Sequence, residues 1–339
     1  MTDVKVPPHI ERISEEDIEQ TLSKTLTSKY GTRFSEYRSA YTSIIEASGP
    51  IDVLPMPVTL GIELLNKCNF KCSMCLTPKL DEPKIVIQKS VRQSLLEQIK
   101  KHKIPAVMFG MGEEPLLYKD FVEFVREISE AGVMDIFLFT NGLLMNETIS
   151  QALIDLPITR VYFSLDAATP ETFFKVRGKN ELPRVEENIL KFLEIRDAKK
   201  SKLPIVRVSF CLTENNAHEK DMFIEKWRHH VDHVDIQTVH DFSRVQEMSR
   251  MSNEELFAPT EKSVAGAKCN QPWEKLTVWA NGDVSPCCTF HGKNLIIGNV
   301  NLETVDELWN GEKITKVRDQ LASGKLNPVC HECLSKRGL

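Results

Sequence analysis

Three cysteines, Cys68, Cys72 and Cys75, crowd one short stretch, ELLNKCNFKCSMCLTPK, at residues 63–79. Cysteine thiolates are soft, electron-rich donors, and this spacing suits a metal or an iron–sulfur cluster. Tetrahedral zinc and ordinary iron–sulfur clusters take four protein ligands, so the loop is one ligand short. The fourth position is filled from elsewhere in the chain, or it is left open for something that binds. A second set lies far downstream. Cys269, Cys287, Cys330 and Cys333 end in a Cys-x2-Cys pair; Cys288 adjoins Cys287, and Cys211 stands apart. Four thiolates at such spacing suit zinc and an iron–sulfur cluster equally well.

Composition limits where such chemistry can take place. The 339 residues suffice for one large domain and a smaller one, and a hydrophobic content of 41% can fill a core. The net charge of −5 is spread along the chain without a basic block, which argues against a nucleic-acid partner. No apolar run approaches the length of about 18 residues that spans a membrane. The N-terminal MTDVKVPPHIERISEED lacks the basic and apolar regions of a signal peptide. Nine cysteines without an export signal predict a reducing, cytoplasmic compartment. There, clustered thiols more often bind metal or do chemistry than form disulfides.

The elements that must position these thiols fall into three regions. Residues 1–56 are polar and read as mainly helical, with Ser14 as N-cap of SEEDIEQTLSKTL. Residues 57–244 alternate strand-like and helix-like runs. The strand-like runs are 58–65, 106–111, 135–141, 160–166, 205–213 and 233–240. Helical patterns such as 90–102 and 119–132 lie between them. This alternation predicts a parallel α/β sheet. Residues 245–339 form a smaller region, with Asn281-Gly282 as a hairpin turn and two short helices around 302–323.

In a parallel α/β fold, ligands sit beyond the C-terminal ends of the strands. The three-cysteine loop follows the first strand. GMGEEP (110–115) follows the second, TNG (140–142) ends the third and SLDAATP (164–170) ends the fourth. Singly, each is an ordinary turn; their ordered arrival at one edge is not.

In these residues the chain resembles the radical S-adenosylmethionine (SAM) enzymes, over roughly 58–240 for the core and 269–333 for the C-terminal part. The resemblance implies a partial (β/α)6 TIM-like barrel in which Cys68, Cys72 and Cys75 bind a [4Fe–4S] cluster. The fourth iron is left to the amino and carboxylate groups of SAM, so the missing ligand is the cosubstrate. Reductive cleavage then gives a 5′-deoxyadenosyl radical that takes hydrogen from a C–H bond, with the protein binding, orienting and excluding water. The family's Gly-Gly-Glu-Pro segment stands here as Gly112-Glu113-Glu114-Pro115, with Glu114 as the carboxylate for the SAM amino group and Glu113 replacing the second glycine. Ser164 matches a ribose or carboxylate contact, Arg177 a contact to the SAM carboxylate, and Asn141 a support of the same pocket. A solvated surface arginine is the plain alternative for Arg177. Met74 stands where the family often has an aromatic residue; it too can pack on adenine. The order of Cys269, a hairpin, Gly282-x4-Cys287 and a distant Cys330-x2-Cys333 resembles a Twitch domain, the short form of the SPASM domain. That implies one auxiliary [4Fe–4S] cluster and two in all, with Cys288 and His331 left out of the ligand set.

The resemblance also frames the substrate. SPASM and Twitch enzymes include peptide modifiers, sugar or aminocyclitol dehydrogenases and epimerases. The cysteine layout is most like a Twitch dehydrogenase of a secondary alcohol. The short N-terminal region leaves no clear room for a strand-and-helix peptide-recognition module, which favours a small polar substrate. On the fifth strand Arg207, Ser209 and Cys211 alternate with Val206, Val208, Phe210 and Leu212, so the polar set is expected to face the barrel interior. Gln237 is expected to point inward from the sixth. Arg207 and Gln237 are therefore candidate substrate contacts, and Cys211 and Cys288 candidate hydrogen donors. An electron donor such as flavodoxin or ferredoxin is implied. The non-enzyme alternative is an iron–sulfur carrier or a zinc-binding protein.

Overall fold

The computed structural model describes residues 15–47, 51–80, 82–260, 264 and 268–336. Six strands alternate with helices as the sequence predicts. They are β1 (Thr59–Ile62), β2 (Ala106–Phe109), β3 (Asp135–Thr140), β4 (Arg160–Ser164), β5 (Ile205–Leu212) and β6 (His233–Thr238). Neighbours pair in parallel and in chain order. Crossover helices include Lys89–His102, Phe121–Glu130 and Leu182–Ala198. Leu60, Ile62, Ile136, Leu138, Val161, Phe163, Val206, Val208 and Phe210 alternate toward these helices and are fully buried. β2 ends at Phe109 because Gly110 turns the chain with φ +92°; a side chain there would meet the Phe139 carbonyl oxygen at 2.2 Å.

The last region continues the same sheet. β7 (Lys275–Val278) pairs in parallel with β1, so β1 is an interior strand. β8 (Asp283–Ser285) and β9 (Gly298–Asn299) follow antiparallel. The turn falls at Asn281-Gly282, with Gly282 at φ +89°. Helices Val305–Asn310 and Glu312–Ser323 match the expected pair, and a further helix, Pro328–Ser335, carries the last two cysteines.

The N-terminal region is helical over Glu15–Tyr30 and Thr32–Glu46; Ser14, the expected N-cap, lies outside the described residues. These helices bury Leu22, Leu26, Phe34, Tyr37 and Ile44 against Val58, Ala106, Met134, Ile205 and Trp273. Those partners open or precede their strands, so the two helices close the N-terminal end of the sheet. Tyr37 donates to Asp135 at 2.9 Å, and Asp135 also pairs with Arg160 at 3.2 Å. The motif loops emerge at the opposite end. Among the described residues no helix is long and apolar enough to cross a membrane.

Candidate functional site

The three-cysteine loop rises from β1 and is held by the helix Pro170–Arg177. The Ser73 amide donates to the Val176 carbonyl at 2.8 Å. Gly178 ends that helix at φ +71°, and a side chain on it would meet the Lys71 carbonyl oxygen at 2.8 Å. The Phe70 ring packs edge-on to Phe173, with the Arg177 guanidinium 5.3 Å from its centre. Burial pushes the Cys68 thiol up to about 11, although the Phe70 amide donates to its sulfur at 3.4 Å.

Arg177 is buried, which rules out the solvated surface arginine. It pairs with Asp166 at 2.8 Å. Burial works against its charge, but Cys72, Asp166, Cys68 and Cys75 more than offset this, so its pKa lies above the ordinary value. Asp166 adopts φ +64°, accepts from the Cys211 amide at 2.7 Å and is anchored at its carbonyl by the Asn216 amide at 2.9 Å. A non-glycine residue in that conformation is uncommon and held only by its surroundings. Sequence reasoning took Ser164 from Ser-Leu-Asp and passed over this aspartate. Ser164 itself is the last residue of β4, half-buried and level with Ser209 of β5.

Glu114 is tied to the cysteine loop through its amide, which donates to the Lys67 carbonyl at 3.1 Å. Its carboxylate accepts from Thr140 at 2.7 Å, the Asn141 amide at 2.8 Å and the Leu116 amide at 3.2 Å. A carboxylate offers about four lone pairs, so one remains for an ammonium group. Asn141 donates to Asn69 at 2.7 Å and lies 3.8 Å from the Cys68 sulfur. Glu113 fills the second-glycine position without left-handed geometry, which falls at Gly110 instead. The Glu113 carboxylate accepts from the Gly110 and Gly112 amides at 3.1 and 3.0 Å. Burial, and then the neighbouring Glu63, push it up to about 8.

In the C-terminal region Cys269, Cys287, Cys330 and Cys333 line one cavity, together with Val317 and Leu321. Cys330 and Cys333 share a face of the helix Pro328–Ser335 by their i,i+3 spacing. Asn327 caps that helix and donates to the Cys330 sulfur at 3.4 Å. Gly292 lies against this wall, and a side chain there would meet the Cys287 sulfur at 2.1 Å. Burial, and then Cys269 and Cys333, push the Cys287 thiol up to about 12. Cys288 is not among the residues lining this cavity, and its thiol donates to the Gln271 side-chain oxygen Oε1 at 3.5 Å. Among the described residues no three such side chains close on a single-ion position. Both donor sets fit iron–sulfur chemistry: soft sulfurs on apolar walls, with a cation beside the first set and space kept by a glycine beside the second.

On β5, Arg207 faces inward, 3.7 Å from the centre of the Tyr162 ring and 3.1 Å from Asp235. Cys211 lies on the same side, level with Gln237. Gln237 donates to Asp235 at 2.6 Å but is exposed, because β6 is an edge strand. It shares the expected inward side with Cys211 and Asp235, at the open rim of the sheet.

Residues 62–222 match the radical SAM superfamily, and residues 269–334 match SPASM, an iron–sulfur cluster-binding domain. Residues 62–222 thus carry a radical SAM domain. A radical SAM domain is followed by a C-terminal SPASM domain, and these domains bring SAM and [4Fe–4S] clusters as cofactors. A probable GTP 3′,8-cyclase of Metallosphaera sedula is 32% identical over 172 residues, 49% of this chain and 50% of that protein. A GTP 3′,8-cyclase of Microcystis aeruginosa is 29% identical over 207 residues, 58% and 61% of the two chains. The chain thus spans about half the length of the first of these relatives. BtrN in complex with AdoMet and 2-DOIA is similar in fold, with TM-score 0.51, 18% identity and coverage of 84% and 93%. anSMEcpe with bound AdoMet has TM-score 0.58, 17% identity and coverage of 78% and 84%.

Proposed function

We propose that Cys68, Cys72 and Cys75 hold a [4Fe–4S] cluster with one iron left to SAM, and that Cys269, Cys287, Cys330 and Cys333 hold an auxiliary one. When bound, the first cluster supplies the electron that cleaves SAM to a 5′-deoxyadenosyl radical. Glu114 and Asn141 receive the methionyl end of SAM, Arg177 its carboxylate and Ser164 its ribose. The reaction is oxidation of a C–H bond in a small polar molecule, of sugar, aminocyclitol or nucleoside type. The observation that carries this is the second thiol-lined cavity: an oxidation must pass on a second electron, and here the chain can hold an acceptor. The N-terminal helices support a small substrate, since they cover the sheet end opposite the cysteine loop. A flavodoxin or ferredoxin is the proposed electron donor.

Epimerisation is the second reading, and Cys211 favours it. Burial, and then Asp166, push that thiol up to about 12, so it carries its hydrogen at neutral pH. The family chemistry is tested by anaerobic incubation with SAM and dithionite. The reconstituted enzyme is expected to form 5′-deoxyadenosine. Cys68→Ala, Cys72→Ala and Cys75→Ala should each abolish it while keeping the auxiliary iron. Undiminished 5′-deoxyadenosine from any one of these variants defeats the assignment.

A further inference from the structure

A cavity of about 340 Å³ lies beside the SAM segment, between the end of β1, residues 82–85, the segment 245–256 and the β7–β8 turn. None of the residues assigned above to SAM or to either cluster lines it. Phe290 on its wall fills the space that a side chain on Gly112 would need, at 2.8 Å, and Glu63 on its wall neighbours Glu113. The volume suits a single small ring.

Its lining is chemically one-sided. Glu63, Glu82 and Asp283 contribute three carboxyl groups, and Lys293 is the one cation among the lining residues. Lys293 lies 3.1 Å from Glu82, 3.8 Å from Glu63 and 5.0 Å from the centre of the Trp279 ring. It is therefore already committed to the wall. Asp283 is met by neutral amides of Asn281 at 2.6 Å and Asn299 at 2.9 Å. Negative charge is left over in a partly enclosed space, where it acts more strongly than in bulk water. Trp279 and Phe290 add aromatic faces, which attract a cation or cover the apolar side of a ring.

We propose that this cavity is the substrate pocket of the enzyme and that it takes a small hydroxylated ring carrying a protonated amine, not a phosphorylated nucleotide. This rests on the reading above that the enzyme acts on a small polar molecule. It separates the chain from relatives named for GTP, because a triphosphate would bring several negative charges against Glu82 and Asp283.

Equilibrium dialysis of the reconstituted, SAM-loaded enzyme against D-glucosamine, D-glucose and D-glucose 6-phosphate tests it. The three probes share a ring and differ in charge. Glucosamine is expected to bind about tenfold tighter than glucose, which corresponds to about 1.4 kcal/mol, and the phosphate weaker than glucose. Asp283→Asn and Glu82→Gln should shrink the preference for the amine, whereas Lys293→Gln should enlarge it. The opposite sign of the last variant separates a charge effect from damage to the fold. Equal binding of all three sugars, tighter binding of the phosphate, or no retention of glucosamine overturns the proposal. 5′-Deoxyadenosine formation by the parent enzyme without any sugar is read in parallel. An enzyme that cleaves SAM but prefers the phosphate loses the pocket assignment and keeps the radical chemistry.

Discussion

At the scale of single residues, Cys287 and Cys288 are neighbours in sequence with different surroundings. Cys287 lines the thiol cavity, and Cys288 packs on Gln271. Cys288→Ser is expected to keep its full iron content. Cys287→Ser should lose about half of about eight irons, as expected for one of two four-iron clusters. It should also be less soluble, because metal binding is folding energy for a small domain. Iron analysis of the two purified variants decides, and a Cys288→Ser protein short of half its iron would place the wrong sulfur at the cluster. Glu113 yields a different prediction. Its folded pKa of about 8 lies above the ordinary 4.5. Between those values the folded protein keeps a proton that the unfolded chain releases, so stability falls as pH rises through the window. Glu113→Gln cannot ionise and should flatten the fall; the slope that remains belongs to Glu63, which burial also pushes up. Melting temperatures measured at about pH 5 and about pH 8 test this, and an unchanged slope in the variant would exonerate Glu113.

At the scale of elements, the six parallel strands were legible because their apolar runs are separated by helical patterns of ordinary length. The motif loops followed from that order. β7 was legible as half of a hairpin, but its pairing with β1 was not. Thr59 and Lys275 are partners in register, and nothing local to either marks the other. For the same reason Glu63 and Lys293 were not foreseen as neighbours, although both types are plain in the sequence. Asp166 was missed for another reason: its role lies in a left-handed backbone angle that a Leu-Asp pair does not announce. The position of the N-terminal helices was likewise hidden, since amphipathic spacing gives a buried face but not the surface it covers. Their packing makes a stability prediction. Tyr37→Phe removes a buried hydrogen bond to the charged Asp135, at a cost of about 2 kcal/mol. Because that bond lies at the end of the sheet away from the cysteine loop, SAM cleavage should be unchanged. Denaturant unfolding and 5′-deoxyadenosine yield are measured on the same protein, and a loss of cleavage at intact stability would contradict the separation of the two ends.

At the scale of the whole molecule, one nine-stranded sheet carries both thiol sets, so the SAM segment and the auxiliary cavity are built on one frame. The strand β7 that joins the two regions lies beside β1, which leads into the first cysteine loop. This continuity favours a substrate radical that hands its electron onward over one that is quenched by a thiol. The competing outcome has its donor in place: Cys211 is level with Gln237 at the top of β5, and its amide is held by Asp166. Deuterated solvent separates the two. A dehydrogenase gives a product two hydrogens lighter, with no solvent deuterium fixed at the reacting carbon. An epimerase gives a product of unchanged composition that carries one deuterium there, because a thiol exchanges with solvent before it donates. In that case Cys211→Ser should stop turnover while SAM cleavage continues, and Cys288→Ser is the control on the auxiliary side. The expected result is the lighter product, formed by both serine variants. Deuterium at the reacting carbon, lost in Cys211→Ser alone, would replace oxidation with epimerisation and identify the donor.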